Sequence, residues 1–432
     1  MSIAVPIMLG MVSQNLLNLV DTAFVGQLGD EALAAVGMGG FANWLLVAFL
    51  IGLGSGVQAT AARRLGEERP EEAAVGLNAA LVVAALVGIP AAILGVSFAH
   101  EIFSLLNDDA NVQQLGGDYL ASRFVAVPFV AANFAFRGFW NGTNRSMNYM
   151  ITLVAMHAVN IFLDYSLIFG NFGFPEMGVE GAGYATSCSL IFGTALYIFL
   201  AFMRARHNGF MRLKGLREVM PTVLRLSVPA GFQQLFFSGG FVVFFIIAGK
   251  VGTEELAASN VIINLMLVCV LPAVGLGLTG ASLAGQAMGA GKLQEARSWG
   301  WSVAMLGSML MGSLGLVLAI GARTWLEIFL PDSPQTLELA VVPLVILGLF
   351  QAFDGIGVVL LNVLVGIGDT MAAFKINTTI QWLLFLPLAW LFAVNLGYGM
   401  MALWIGMIGY RALLAMSMFW RFRGSGWTKV EA

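Results

Sequence analysis

The sequence predicts an all-α protein that crosses a membrane twelve times, as two lobes of six helices. Three observations carry this. Hydrophobic residues make up 59% of the 432-residue chain and charged residues only 10%, where a soluble chain carries about 25% charged. Twelve apolar runs recur from end to end, each about 20 residues or longer, enough to cross a hydrocarbon core of roughly 30 Å as a helix. Basic residues gather in alternate connections. Short segments of alternating polarity, which a β-barrel needs, are absent.

The spans follow in order. The first covers 2–25 and starts with almost no polar leader, which points to native residues missing upstream. It is a membrane helix rather than a cleaved signal, because further spans follow. The second, 33–62, is followed by Arg63, Arg64 and Arg69. The third and fourth cover 73–101 and 114–136, with Arg137 and Arg145 next. The fifth and sixth cover 146–170 and 180–203. The longest polar stretch, "RARHNGFMRLKGLREVM" at 204–220, then divides the chain. We expect an N-lobe over 1–203, a linker over 204–218 and a C-lobe over 219–432. The seventh and eighth spans, 219–249 and 256–287, precede Lys292 and Arg297. The last four cover 296–322, 336–364, 371–394 and 398–420, with Lys375 after the tenth and Arg421, Arg423 and Lys429 in the tail.

Connections after even-numbered spans, together with the tail, hold 17 of the 21 basic residues. The positive-inside rule then places both termini in the cytoplasm. Odd connections hold Lys250 and Arg323, while Arg123 and Arg411 lie inside or beside spans. The net charge of −3 and the lack of a basic tract give no sign of nucleic-acid binding. Cys188 and Cys269 each sit in an apolar run and read as small packing residues.

The halves repeat. A shift of 223 pairs "GQLGDEALAA" at 26–35 with "GKVGTEELAA" at 249–258, and "GLG" at 52–54 with "GLG" at 275–277. Six helices per copy insert both copies the same way, so a pseudo-twofold axis along the membrane normal is expected.

Polar residues break this symmetry. An ionised Asp at the centre of a membrane helix costs roughly 2.5–3.5 kcal/mol on insertion scales, so such acids mark function. Three acids lie clearly inside spans: Asp21, Asp164 and Asp354. Gln14, Asn18 and Asp21 share one helical face, flanked by Asn15 and Thr22. The shift turns Gln14, Asn18, Asp21 and Thr22 into Phe237, Phe241, Phe244 and Phe245. His157, Asn160 and Asp164 share a face in span five, and a shift of 224 turns the last two into Leu384 and Leu388. Asp21 and Asp164 lie at similar depths, so a shared chamber is expected. Two carboxylates in a low-dielectric pocket need a proton or a metal ion. Pro6 either bends span one or only starts it. His157 either shuttles protons or is a hydrogen-bonded structural residue. Asp354, one turn after Gln351, serves a site or packs against a polar partner.

These features resemble the multidrug and toxic compound extrusion (MATE) family: Pro6 and Asp21 in span one, "VDTAFVGQLG", "GLGSG" in span two and "GLGLTGASLAGQAMGAG" in span eight. Asn160, Asp164 and Thr186 in "GVEGAGYATS" look like its DinF branch. The resemblance implies a cation-coupling site of Asp21, Asn160, Asp164 and Thr186, which would also ligate Na⁺ if that is the coupling ion. Gln14, Asn18, His157 and Asp354 would be accessory or cavity residues, and Pro6 the point at which span one bends. Asp354 resembles the span-ten acid of the NorM branch, but that branch's span-seven Glu is missing from "VPAGFQQLFFSGGF". The implied activity is export of cationic or amphiphilic drugs in exchange for H⁺ or Na⁺, by a monomer in the bacterial inner membrane, without a cofactor. Asp21→Asn is expected to abolish coupling, and changes at Phe244 to be mild. A lipid-linked precursor flippase is the nearest rival, though it would line its cavity with cations. An intramembrane enzyme lacks support: there is no HExxH and no GxSxG.

Overall fold

The computed structural model describes residues 3–331 and 333–429, apart from the side chains of Asn15 and Lys429. Asn15, expected to flank the span-one stripe, therefore lies outside the described side chains. The chain divides into two compact units, Met1–Gly231 and Phe232–Ala432.

In the first unit α1 is Ala4–Gly26, α2 Asp30–Gly66, α3 Val75–Ser97 and α4 Ala99–Ser104. Then come α5 Ala110–Phe124, α6 Val127–Gly142, α7 Ser146–Phe169 and α8 Gly178–Arg204. Local chemistry sets several boundaries. Asp109 caps α5, its carboxylate accepting from the amides of Asn111 at 2.9 Å and Val112 at 3.2 Å. Gly170 ends α7 in the left-handed region at φ +70, six residues beyond Asp164. Pro128 bars a straight helical passage from α5 to α6, and these two meet at 50° as one broken span. This is the predicted span four, with a break that apolar length alone did not reveal.

In the second unit α9 is Leu216–Val251, entered from the first unit, and α10 is Thr253–Gly289. They are followed by α11 Leu293–Ile320, α12 Ala322–Phe329, α13 Pro334–Gly366 and α14 Thr370–Thr378. The path of α14 continues through π-helical Thr379–Phe385, a short α15 Leu386–Ala389 and π-helical Trp390–Asn395. The chain closes with α16 Gly399–Arg423. Both π segments lie in predicted span eleven, where apolar periodicity cannot distinguish a 3.6-residue turn from a wider one.

Ten helical segments among the described residues are long and apolar enough to cross a bilayer, and the bent α5–α6 pair makes an eleventh span. Helix α1 has 23 residues, the length of a span, but its polar stripe keeps it out of that apolar class.

The polar stretch predicted as a linker is tied down at its centre. Asn78, buried in α3, donates to the carbonyls of Gly209 at 2.9 Å and Arg212 at 3.1 Å, and accepts from the Met211 amide at 3.0 Å. The start of α9 packs on α2: a Cβ on Gly52 would come within 2.2 Å of the Gly231 backbone nitrogen. The division between units therefore falls inside α9.

Helix packing follows the membrane rule that small residues let backbones approach. A Cβ on Gly138 of α6 would meet the Gly54 carbonyl oxygen of α2 at 2.1 Å. The repeat carries this contact across: Gly277, the counterpart of Gly54, faces Asn362, the counterpart of Gly138. In the second unit Gly315 of α11 and Gly348 of α13 face each other's carbonyls, with Cβ positions at 2.3 and 2.5 Å. Both obstacles are backbone, so neither can yield. Gly315→Ala should cost about 1–3 kcal/mol by overpacking, read as a lower melting temperature of the detergent-purified protein. An unchanged melting temperature would contradict this packing.

Where the first copy carries its polar stripe, the second carries an aromatic stack. Phe244, fully buried, packs against Phe241, Phe245, Phe385 and Trp404 with ring centroids 5.6–6.5 Å apart. Substitution of Phe244 therefore acts first on packing, and mild effects are to be expected on coupling rather than on stability.

Candidate cation-coupling site

The site is built at matching ends of α1 and α7, which pack against each other. Asp21 lies five residues before the end of α1 at Gly26, and Asp164 five before the end of α7 at Phe169. At 1.5 Å per residue this puts them level, and their carboxyl groups come within hydrogen-bonding reach of each other. Asp164 is 1% exposed and Asn160 fully buried. Asn160 Nδ2 donates to Asp164 Oδ2, one helical turn away. Ser189 Oγ of α8 lies 2.8 Å from the Thr186 carbonyl of its own helix and 3.3 Å from Asn160 Oδ1, two acceptors that share its one proton; the contact favours the amide orientation whose NH₂ points at the acid. The Oδ1 atoms of both Asp21 and Asp164 are sealed from solvent with no hydrogen-bond partner. Buried carboxylate oxygens are acceptors that ordinarily find a donor or a cation.

Among the described residues Arg123 is the nearest positive charge acting on this pair, without an ion pair to either acid. It sits in the last turn of α5, beside the break to α6. Both carboxylates feel its positive charge. Its guanidinium carbon lies 5.9 Å from the ring centroid of buried Tyr119, one turn earlier. The break also frees a backbone carbonyl, and α8 satisfies it: Ser187 Oγ donates to Ser122 O at 2.7 Å. Among the described residues no group of three or more His, Cys, Asp or Glu gathers. The charge set here is two acids and one arginine.

The other predicted residues fall into distinct places. Gln14 and Asn18 lie on the exposed side of α1 and are linked, with Gln14 Nε2 donating to Asn18 Oδ1 at 3.5 Å. His157 Nε2 and Gln14 Oε1 are 3.3 Å apart, so the histidine joins α7 to α1. Thr186 is near but turned inward on its own helix, donating to Ala182 O at 3.1 Å. Ser189, one turn on, makes the side-chain contact with Asn160. Ser189→Ala should therefore lower stability by about 0.5–1.5 kcal/mol, while Thr186→Ala should be near neutral. Equal melting temperatures for the two variants would refute this ordering. Pro6 lies in the first turn of α1, where a missing N–H breaks no helical bond. A bend there would need helix upstream.

Asp354 lies in the second unit, paired with Arg411 of α16 at 2.5 Å, both buried. This is the polar partner that the packing alternative requires. The neighbouring Tyr410 OH donates to Asn377 Oδ1 at 3.0 Å, extending a buried polar patch across α13, α14 and α16. Cys188 and Cys269 are free thiols.

Sequence reasoning missed the roles of Arg123, Arg411 and Ser189. The signal was present for the arginines: they are the two basic residues that fit no loop. Ser189 shares the helical face of Thr186, three residues later.

The MatE family model matches the chain twice, over 6–166 and over 229–391. The chain belongs to the MatE family. The second match begins 223 residues after the first, the same shift that aligns the repeats. A MatE protein is a secondary transporter rather than an enzyme. Among curated relatives, a probable multidrug resistance protein NorM from Thermotoga maritima is 28% identical over 96% of this chain and 90% of its own length. A probable multidrug resistance protein YoeA from Bacillus subtilis is 29% identical over 78% and 74%. The fold matches an outward-facing multidrug resistance transporter of the family with a TM-score of 0.89 at 22% identity, covering 98% of this chain and 94% of the other. It also matches a MOP superfamily transporter from Pyrococcus furiosus, with a TM-score of 0.87 at 23% identity, covering 99% and 96%.

Proposed function

We propose that this MatE protein is a cation-coupled multidrug efflux antiporter whose coupling site is the Asp21–Asp164 pair. The observation that carries the reading is the pair itself: two facing carboxyl groups within the membrane, each with a buried oxygen that lacks a donor. A proton on one acid would let it donate to the other; a Na⁺ ion would sit between the two carboxylates, and Asn160 and Thr186 would join as oxygen ligands only after the Asn160 amide turns over and Thr186 leaves its bond to Ala182 O. Arg123 balances one of the two charges. One monovalent cation then neutralises the rest, so one exchangeable cation per cycle is the natural stoichiometry.

Inward flow of H⁺ or Na⁺ drives the outward step. Cation binding removes the net charge of the cluster and favours the access state in which α1 and α7 close around it. Drug affinity must be lower in that state, or no coupling exists. Alternating access by a monomer with both termini in the cytoplasm is the form this takes in a bacterial inner membrane. The exposed Gln14 and Asn18 face the substrate path, since a polar side chain avoids lipid. The curated relatives carry NorM and YoeA names, so the DinF-like reading rests on the N-lobe residues alone.

Reconstitution in proteoliposomes tests this. A pH gradient and a Na⁺ gradient are imposed separately, and movement of a fluorescent cationic dye is followed. Dye transport under at least one gradient is expected, and transport insensitive to both would reject cation coupling.

A further inference from the structure

A second polar feature lies away from the coupling site, where the start of α7 meets the end of α8. Asn144, Arg145, Met147, Asn148, Arg204 and His207 line a cavity of about 500 Å³. No acid lines it. Among the described residues neither Arg145, Arg204 nor His207 forms an ion pair with a carboxylate. The two guanidinium groups are held by neutral acceptors. Arg145 Nη1 donates to the Arg204 carbonyl at 2.6 Å and to Asn208 Oδ1 at 3.1 Å. Its Nη2 lies 3.2 Å from His207 Nε2. Arg204 Nη1 donates to Asn148 Oδ1 at 2.5 Å.

Two like charges are thus fixed side by side. Burial first, and the Arg204 charge second, push the Arg145 guanidinium below its usual value, an arrangement that an anion would relieve. The amino end of the 24-residue α7 opens at the same place, and its dipole favours negative charge. Ser146, the first residue of that helix, keeps a buried hydroxyl without a partner. The cavity also borders an apolar surface. Met147, which lines it, is 50% exposed, and Ile151 and Val154 continue one exposed face of α7 at helical spacing. At the adjoining end of α8, Phe199, Phe202 and Met203 are exposed as well.

We propose that this cavity binds the phosphate of an anionic lipid headgroup, with the acyl chains lying along the exposed face of α7. Arg145 and Arg204 supply charged, fork-shaped donors suited to phosphate oxygens. The apolar face continuous with the cavity favours a lipid over a free phosphate. Basic pockets between helices at a membrane surface take such headgroups. The site stands independently of the coupling mechanism.

Native mass spectrometry of the full-length detergent-purified protein reads the retention of phosphatidylglycerol against phosphatidylcholine. Wild type should keep phosphatidylglycerol preferentially. Arg204→Gln leaves the Arg145 bond to the residue-204 carbonyl in place and should lower retention ~5-fold, the effect of about one surface charge. Arg145→Lys should hold on to most of the preference. Melting temperature without lipid checks that each variant is folded, and Arg145→Gln, which removes the other guanidinium, serves as a second probe where Arg204→Gln is not folded. Equal retention of the two lipids by wild type overturns the proposal. So does unchanged retention in folded Arg204→Gln or folded Arg145→Gln. Displacement of the lipid by inorganic phosphate assigns the cavity to a free anion and overturns the lipid assignment; resistance to phosphate supports it.

Discussion

Asp21→Asn and Asp164→Asn should each lose gradient-driven dye export, by about 5–150-fold, the span of a typical coupling free energy. The replacement is nearly isosteric. An amide can still accept or donate a hydrogen bond, so the helix ends stay in place. It cannot take up a proton where a carboxyl group would, and it contributes no charge to hold Na⁺. The sign on stability is opposite to the sign on function. Removing one of two like charges relieves repulsion inside the N-lobe, so each variant should melt at or above the wild-type temperature. Loss of export together with intact folding is the expected pair of results. A folded Asp164→Asn protein that exports at the wild-type rate under either gradient would place the coupling site elsewhere in the molecule.

The second large effect lies in the other unit and has the opposite character. Arg411 and Asp354 are both buried and bonded at 2.5 Å. Removing one partner strands the other as an uncompensated charge, which costs about 3–5 kcal/mol. Arg411→Met and Asp354→Leu should therefore each lower the melting temperature sharply. The double replacement by apolar residues removes both charges and should recover most of that loss. If Asp354 works only through this ion pair, the double variant still exports dye under a gradient. A double variant that is stable but inactive would make Asp354 a second coupling acid. These measurements separate a structural acid from a functional one by their stability cost, which export assays alone cannot do.

The contrast between the two sites separates a structural acid from a candidate coupling pair. Asp354 has a dedicated arginine at direct contact. Asp21 and Asp164 have only the nearby charge of Arg123, which bonds neither of them, and each retains an oxygen with no donor. Charge balance, rather than the mere presence of an acid, distinguishes them.

Much of this was legible without coordinates. Long apolar runs can only be buried in lipid, and their length fixes a helix, so the all-α polytopic fold follows from composition and run length. The alternate placement of basic residues follows from the same partition. The repeat is visible because "GQLGDEALAA" and "GKVGTEELAA" preserve a shared turn between the first two spans of each copy. The loss of the polar stripe to Phe237, Phe241, Phe244 and Phe245 pointed to the N-lobe, and helical spacing put His157, Asn160 and Asp164 on one face.

Only the tertiary structure could decide which residues answer these acids. Arg123 lies close enough for its charge to act on Asp21 and Asp164 at the break that ends α5 within span four, and an apolar tally registers no break. Arg411 meets Asp354 across 57 residues of chain, a pairing that depends on how α13 and α16 pack. Ser189 rather than Thr186 comes up against Asn160, a choice set by which part of the α8 face meets α7. Periodicity reports which face of a helix a residue occupies, and composition reports whether the helix enters lipid. Neither reports which two faces meet, because that is set by side-chain packing between segments far apart in sequence.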